Sequence, residues 1–267
     1  SRRWLGIGGL TLQPSELAKL GVILCFSSLI CRMRGRMSTF KYGILPFAAI
    51  LGLVVGLLVL EPHFSASIII IAVGGVMMFL GGVRLGWFIG AGSAAAVGIG
   101  VLLMLFPYAS GRINTWRDPF SSSSDEGYQI VQSLYTIGSG GLSGLGLGMS
   151  RQKYLYLPEE HNDFIFSVVC EELGFIGAAL ILLLFALLIL RGYWIALHCR
   201  DRFSFLVVAG ITTLLAIQVF LNVAVVTNLV PCTGISLPFF SYGGTALLIQ
   251  LGEMGIILSA SRDVIEK

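Results

Sequence analysis

Leu157 to Glu172 reads LPEEHNDFIFSVVCEE, and the passage from acidic to apolar within it decides the kind of fold. Asp163 is the last strongly polar residue before a long apolar run. That run is a membrane-helix candidate, with an acidic, His-containing turn at its mouth. A carboxylate in that position can touch water, lipid headgroups and a membrane-bound substrate at once. Ionisable groups at or in a bilayer are costly, which makes Asp163 a functional candidate from the outset.

The rest of the chain agrees with a membrane reading. Hydrophobic residues make up 56% of it and charged residues only 12%, against about 25% charged in a soluble domain. The 34 glycines suit helices that approach closely in lipid. The net charge of +3 is small and scattered, which argues against nucleic acid as a partner. Cys25, Cys31, Cys170, Cys199 and Cys232 form no CxxC pair and read as small packing residues. The chain begins at Ser1 with no signal-peptide pattern and is expected to be a fragment or a processed form.

Crossing a bilayer takes about 20 apolar residues. Seven segments are expected to do so: 14–31, 42–60, 64–82, 85–106, 163–190, 203–229 and 243–261. The expected fold is therefore all-α, a polytopic membrane helix bundle forming one integral membrane domain over 1–267. Lys and Arg favour cytoplasmic loops. With RMRGRMSTFK (32–41) inside, ten of the 17 basic residues fall inside and six outside, with Lys19 in a helix. The chain then starts outside and ends inside, which calls for an odd number of earlier spans. Residues 107–162 become one long extracytoplasmic loop. Within it SSSSDEG (121–127) can cap a helix, YQIVQSLYTI (128–137) has one apolar face, and GSGGLSGLGLG (138–148) breaks it. An interfacial helix on the outer leaflet, followed by a glycine-rich turn, is expected there.

Several polar groups stand out. Glu16 and Lys19 in QPSELAK lie three apart, on one helix face. They read either as a structural ion pair or as a lysine at the floor of an anion-binding cavity. On a helix turning about 100° per residue, Glu171 lies about 80° and Glu172 about 180° from Asp163, so a structural role suits them better. His161 and His63 lack the spacing of a zinc motif. PCTGISLPFFSYGGT (231–245) breaks the helical pattern at the outer face. It reads as a turn closing the bundle or as one wall of a substrate cavity. Asn222, Gln218, Asn228, Gln250 and Glu253 are expected mainly to hydrogen-bond between helices.

Four motifs in order then resemble one family: RRWLGIGGLTLQPSELAK (2–19), GRINTWRDPF (111–120), GYQIVQSLYTIGSGGLSGLGLGMSRQKYLYLPEEHNDFIFSVVCEELGFIG (127–177) and LPFFSYGGTALL (237–248). They resemble the SEDS proteins of shape, elongation, division and sporulation. The wording around 150–159 is closer to the FtsW/SpoVE branch than to RodA. One departure is EPHFSAS (61–67), where His63 stands at a position that is often Asp.

The resemblance implies about ten spans of the 20-residue kind, so roughly the first three would precede this chain. It implies a peptidoglycan glycosyltransferase in the bacterial cytoplasmic membrane, polymerising lipid II at the outer face in division or sporulation. Asp163 becomes the candidate catalytic residue. Glu16, Lys19, Gln13, Arg112, Arg117, Lys153, His161 and Ser241 become candidates for substrate binding. No protein metal ligands are expected, although a divalent cation such as Mg or Mn is an optional helper at the pyrophosphate. Implied partners are lipid II, the lipid-linked glycan chain, a class B penicillin-binding protein transpeptidase and other divisome proteins. A lipid II flippase, or a scaffold for the transpeptidase, is the competing expectation.

Overall fold

A computed structural model of the chain describes residues 5–7, 10–61, 64–93, 114–121, 125–150 and 162–262. Expectations about His63, Arg112, Lys153 and His161 lie outside these residues. The chain forms a membrane helix bundle, preceded by a short hairpin that the all-α expectation did not include. In that hairpin β1 (Leu5–Ile7) pairs antiparallel with β2 (Leu10–Leu12), Leu5 opposite Leu12. Two glycines separate the strands in sequence, the composition a two-residue hairpin turn favours.

The helices are α1 (Pro14–Arg32), α2 (Phe40–Gly43), α3 (Leu45–Leu60), α4 (Phe64–Gly81), α5 (Asp125–Ser139), α6 (Ile165–His198), α7 (Arg202–Val226) and α8 (Gly244–Ser261). Residues 85–93 and 114–117 are also helical. Among the described residues, five stretches are long and apolar enough to cross a bilayer: Pro14–Arg32, Phe40–Leu60, Ile165–His198, Arg202–Val226 and Gly244–Ser261. Most of α4 forms a shorter apolar helix. The expected span 85–106 passes outside the described residues after 93.

The chain divides into two compact units. The first comprises Ser1–Phe88, Leu187–Ile217 and Gly243–Lys267. Pro14 starts α1, where its missing N–H costs nothing. The core here is built on Phe26 and Phe47, both fully buried, with ring centroids 4.8 Å apart and edge to face. Glycines let the helices close in. A Cβ on Gly74 would meet Leu51 and Phe26 at 3.0–3.3 Å, and one on Gly210 would meet Ile23 and Met77 at 2.7–2.8 Å. Arg202 Nη2 donates to the Gly81 carbonyl at 3.2 Å, placing a cation on the last turn of α4.

The second unit comprises Ile89–Ala186 and Gln218–Tyr242. Here α5 packs one face against α6 and α7. Ile130 and Ser133 are buried on its packed face, with Thr136 on the next turn. Ser133 Oγ donates to the Val226 carbonyl of α7 at 2.8 Å and lies 2.7 Å from Ser167 Oγ of α6. The apolar stripe was legible, and the serine within it serves the helix interface through its hydroxyl bonds.

Gly174 interrupts α6 with φ 68° and ψ −171°. A continuous helix would bond the Phe175 and Ile176 N–H groups to the Glu171 and Glu172 carbonyls. Instead Phe175 and Ile176 donate to Gly141 and Leu142, at 2.9 and 3.2 Å. The Glu171 and Glu172 carbonyls accept from Leu145 and Gly146, at 2.9 and 3.0 Å. The glycine-rich loop is thus spliced into the helix, and these four backbone groups are paired through it. Ser150 Oγ also donates to the buried Glu171 carboxylate.

Candidate functional site

Asp163 sits half-buried just before α6 begins. Its peptide is gripped from outside its own helix. Asn222 of α7, fully buried, donates from Nδ2 to the Asp163 carbonyl at 2.8 Å and to the Ile235 carbonyl at 2.6 Å. Ser241 Oγ donates to the Asn162 carbonyl at 2.6 Å and accepts the Leu237 N–H at 2.7 Å. Two consecutive carbonyls, 162 and 163, are therefore held by side chains from different elements.

The 231–243 segment forms the wall beside the carboxylate. Gly234 takes φ 62°, the left-handed region, and a Cβ there would stand 2.9 Å from Asp163 Oδ2. Only glycine combines that backbone with that clearance. Phe239 also takes a positive φ, 65°, and its neighbour Phe240 packs on Phe185 at 5.9 Å. This is irregular backbone held by specific contacts, the condition under which it is tolerated in a membrane protein.

Arg117 is exposed on the helical turn 114–117. That turn is pinned in the second unit by a reciprocal pair: Trp116 Nε1 donates to the Asn228 carbonyl at 3.1 Å, and Asn228 Nδ2 to the Trp116 carbonyl at 3.2 Å.

Glu16 and Lys19 belong to the first unit. They form a buried ion pair, Nζ to Oε1 at 2.7 Å, the one salt bridge among the described residues. Glu253 of α8 is buried as well and interacts electrostatically with both. Lys19 thus already faces two acids, so its charge is largely spoken for within the protein. Gln13 occupies the N-cap position of α1, half-buried and without a side-chain cap bond.

The structure therefore joins Asp163 with Ser241, and Glu16 with Lys19. The proton of Ser241 goes to a backbone carbonyl, so that hydroxyl orients the segment carrying Asp163. Asn222 and Gly234 are the residues the sequence undervalued. The signals were an amide in an apolar span and a glycine between Thr233 and Ile235, but their target becomes visible only in three dimensions. Among the described residues no three His, Cys, Asp or Glu side chains come together to hold a metal.

Comparison with known proteins follows the same lines. The family model for cell cycle proteins of the FtsW, RodA and SpoVE type matches residues 1–265. Stage V sporulation protein E of Bacillus subtilis is 41% identical over 262 residues, 98% of this chain and 72% of that one. A probable peptidoglycan glycosyltransferase FtsW of Geobacter sp. (strain M18) is 39% identical over 259 residues, 97% and 71% of the two chains. Among solved structures, a chain from a study titled "Structural coordination of polymerization and crosslinking by a peptidoglycan synthase complex" superposes with a TM-score of 0.83 at 32% identity, covering 100% of this chain and 75% of that one. The rod shape determining protein RodA of Thermus thermophilus gives 0.66 at 30% identity, covering 100% and 71%. Ordered motifs, a multi-pass helix bundle and matches along the whole chain lead to one assignment: the chain belongs to the FtsW/RodA/SpoVE family of cell cycle proteins.

Proposed function

We propose that this chain carries the membrane core of a peptidoglycan glycosyltransferase, which polymerises lipid II at the outer face of the bacterial cytoplasmic membrane with Asp163 as general base. The observation that carries the reading is the gripped Asp163 peptide, with its carboxylate lying beside the bare Cα of Gly234. Relatives named as probable peptidoglycan glycosyltransferases support it. The donor is a glycan on an undecaprenyl pyrophosphate, and the acceptor is the 4-hydroxyl of the N-acetylglucosamine in lipid II. As the acceptor oxygen bonds to the anomeric carbon, the bond from that carbon to the phosphate oxygen breaks. The hydroxyl proton passes to Asp163, and in-line attack inverts the anomeric centre. The leaving group departs as an anion and needs no acid, so one carboxylate suffices where glycoside hydrolases use two.

The departing pyrophosphate needs positive charge. Arg117 is the exposed described candidate, with Arg112 and Lys153 proposed beside it. A divalent cation such as Mg or Mn would supply further positive charge at the pyrophosphate. The likeness to a chain studied in a peptidoglycan synthase complex supports a class B penicillin-binding protein as partner. The test is lipid II polymerisation by the full-length protein, with and without its transpeptidase and Mg or Mn. Asp163→Asn is expected to abolish glycan formation while the protein stays folded. Polymer formed at the wild-type rate by that variant refutes the base assignment.

A further inference from the structure

Hydroxyl side chains in these helices mostly bond their own helix. Ser27 donates to Ile23, Thr212 to Val208, Thr213 to Ala209 and Thr227 to Val223, each four residues back. Asn222 does the opposite. It is fully buried, yet both its bonds leave α7. One goes to the carbonyl of Asp163 and the other to that of Ile235, next to the glycine whose Cα lies beside the Asp163 carboxylate. A single amide therefore sets the spacing between the peptide that carries the carboxylate and the wall the carboxylate lies against. The Asn222 Oδ1 atom has no hydrogen-bond partner among the described residues, so the contacts described are made through its donors.

We propose that Asn222 and Gly234 form one positioning device for Asp163: the Asn222 amide fixes the distance between the two segments, and the missing side chain of Gly234 leaves the carboxylate its place. This rests on the reading of Asp163 as base. The carboxylate must sit within hydrogen-bond reach of the acceptor hydroxyl. A displacement of about 1 Å in such a group can cost about 100-fold in rate.

Asn222→Asp keeps the size of the side chain but sets an acceptor against two carbonyls, and Asn222→Ala removes both donors. Gly234→Ala leaves the amide bonds in place and adds a Cβ 2.9 Å from Asp163 Oδ2. With the full-length protein, its transpeptidase and lipid II, each variant is expected to lower kcat about 10- to 100-fold with little change in KM. The Asn222→Ala, Gly234→Ala double variant is expected to lose less than the product of the single losses, because both act through one group. Hydrogen exchange of peptides covering 230–243 is expected to speed up in Asn222→Ala and to stay at the wild-type rate in Asp163→Asn. An unchanged kcat, a loss confined to KM, or unchanged exchange in Asn222→Ala overturns the proposal. Should Asn222→Ala not fold, Gly234→Ala decides: kcat reduced at constant KM supports the device, and kcat unchanged refutes it. Should Asp163→Asn still polymerise, the base reading fails, while the exchange measurement still reports on Asn222.

Discussion

Gly144 and Gly174 meet backbone to backbone. A Cβ on Gly144 would fall 2.6 Å from the Gly174 nitrogen, and a Cβ on Gly174 would clash with the Gly144 nitrogen in turn. Both residues have positive φ, 78° and 68°. Gly144→Ala or Gly174→Ala is therefore expected to destabilise the protein by about 2–4 kcal/mol, combining overpacking with left-handed strain. Gly138→Ala is the control. It lies in α5 with nothing within 4 Å of the added methyl, and a gain of about 0.5–1 kcal/mol is expected. Thermal unfolding in detergent or nanodiscs compares the three.

Lys19 faces Glu16 in an ion pair and Glu253 at longer range. Lys19→Met leaves two buried acids without a cation, and a loss of about 3–5 kcal/mol is expected. Glu16→Gln leaves one acid against one cation and should cost clearly less. The double variant should be more stable than Lys19→Met alone. A melting series of the three proteins gives the order, and equal losses for the two single variants would remove Glu253 from the account.

Ser133→Ala removes the hydroxyl that reaches the Val226 carbonyl and Ser167. Interhelical hydrogen bonds in membrane proteins average about 0.6 kcal/mol, so a loss of about 0.5–1 kcal/mol is expected. Ser167→Ala should be milder, because Ser133 keeps its bond to Val226. A double-mutant cycle on melting free energies separates the two contacts.

Asp201 precedes α7, and its carboxylate accepts the Ser204 N–H at 2.7 Å as a helix cap. That backbone bond, aided by the Ser204 hydroxyl, holds the acid below its ordinary value of 3.8. A carboxyl lowered on folding stabilises the fold above its unfolded pKa and loses that effect as pH falls through the folded one. The cap is therefore expected to act fully at neutral pH and to fade below pH 3.8. The group is almost fully exposed, so the effect is small and salt-sensitive. Asp201→Ala should lower the melting temperature at pH 7 more than at pH 3.

The long helices were legible because lipid demands apolar runs, and Asp163 stood out because it is the last strongly polar residue before one. The pairing of Glu16 with Lys19 followed from their spacing. The rest depends on tertiary contacts. EELGFIGAAL (171–180) reads as uninterrupted helix, since isolated glycines are tolerated inside one. Its break is set by a loop some thirty residues earlier in the chain. The hairpin was hidden in a stretch too short to show alternation. Asn222 reads as generic polar glue until the carbonyls it reaches are known, and Glu253 has no sequence neighbour that announces Lys19.

The break at Gly174 also bears on how the protein meets bilayers of different thickness. A span answers mismatch by changing its tilt. Were α6 one rigid rod, Asp163 would ride about 16 Å beyond residue 174, at 1.5 Å per residue. A tilt of about 10° would then swing it by about 3 Å, more than a hydrogen bond tolerates. The rod is cut, however, and both sides of the cut are bonded to one loop: Glu171 and Glu172 to Leu145 and Gly146, and Phe175 and Ile176 to Gly141 and Leu142. The Asp163 segment is held by Asn222 and Ser241, so these partners, and not the direction of the span alone, set where the carboxylate stands. Polymerisation is thus expected to change little with lipid chain length, as rates in vesicles of short and long acyl chains would report.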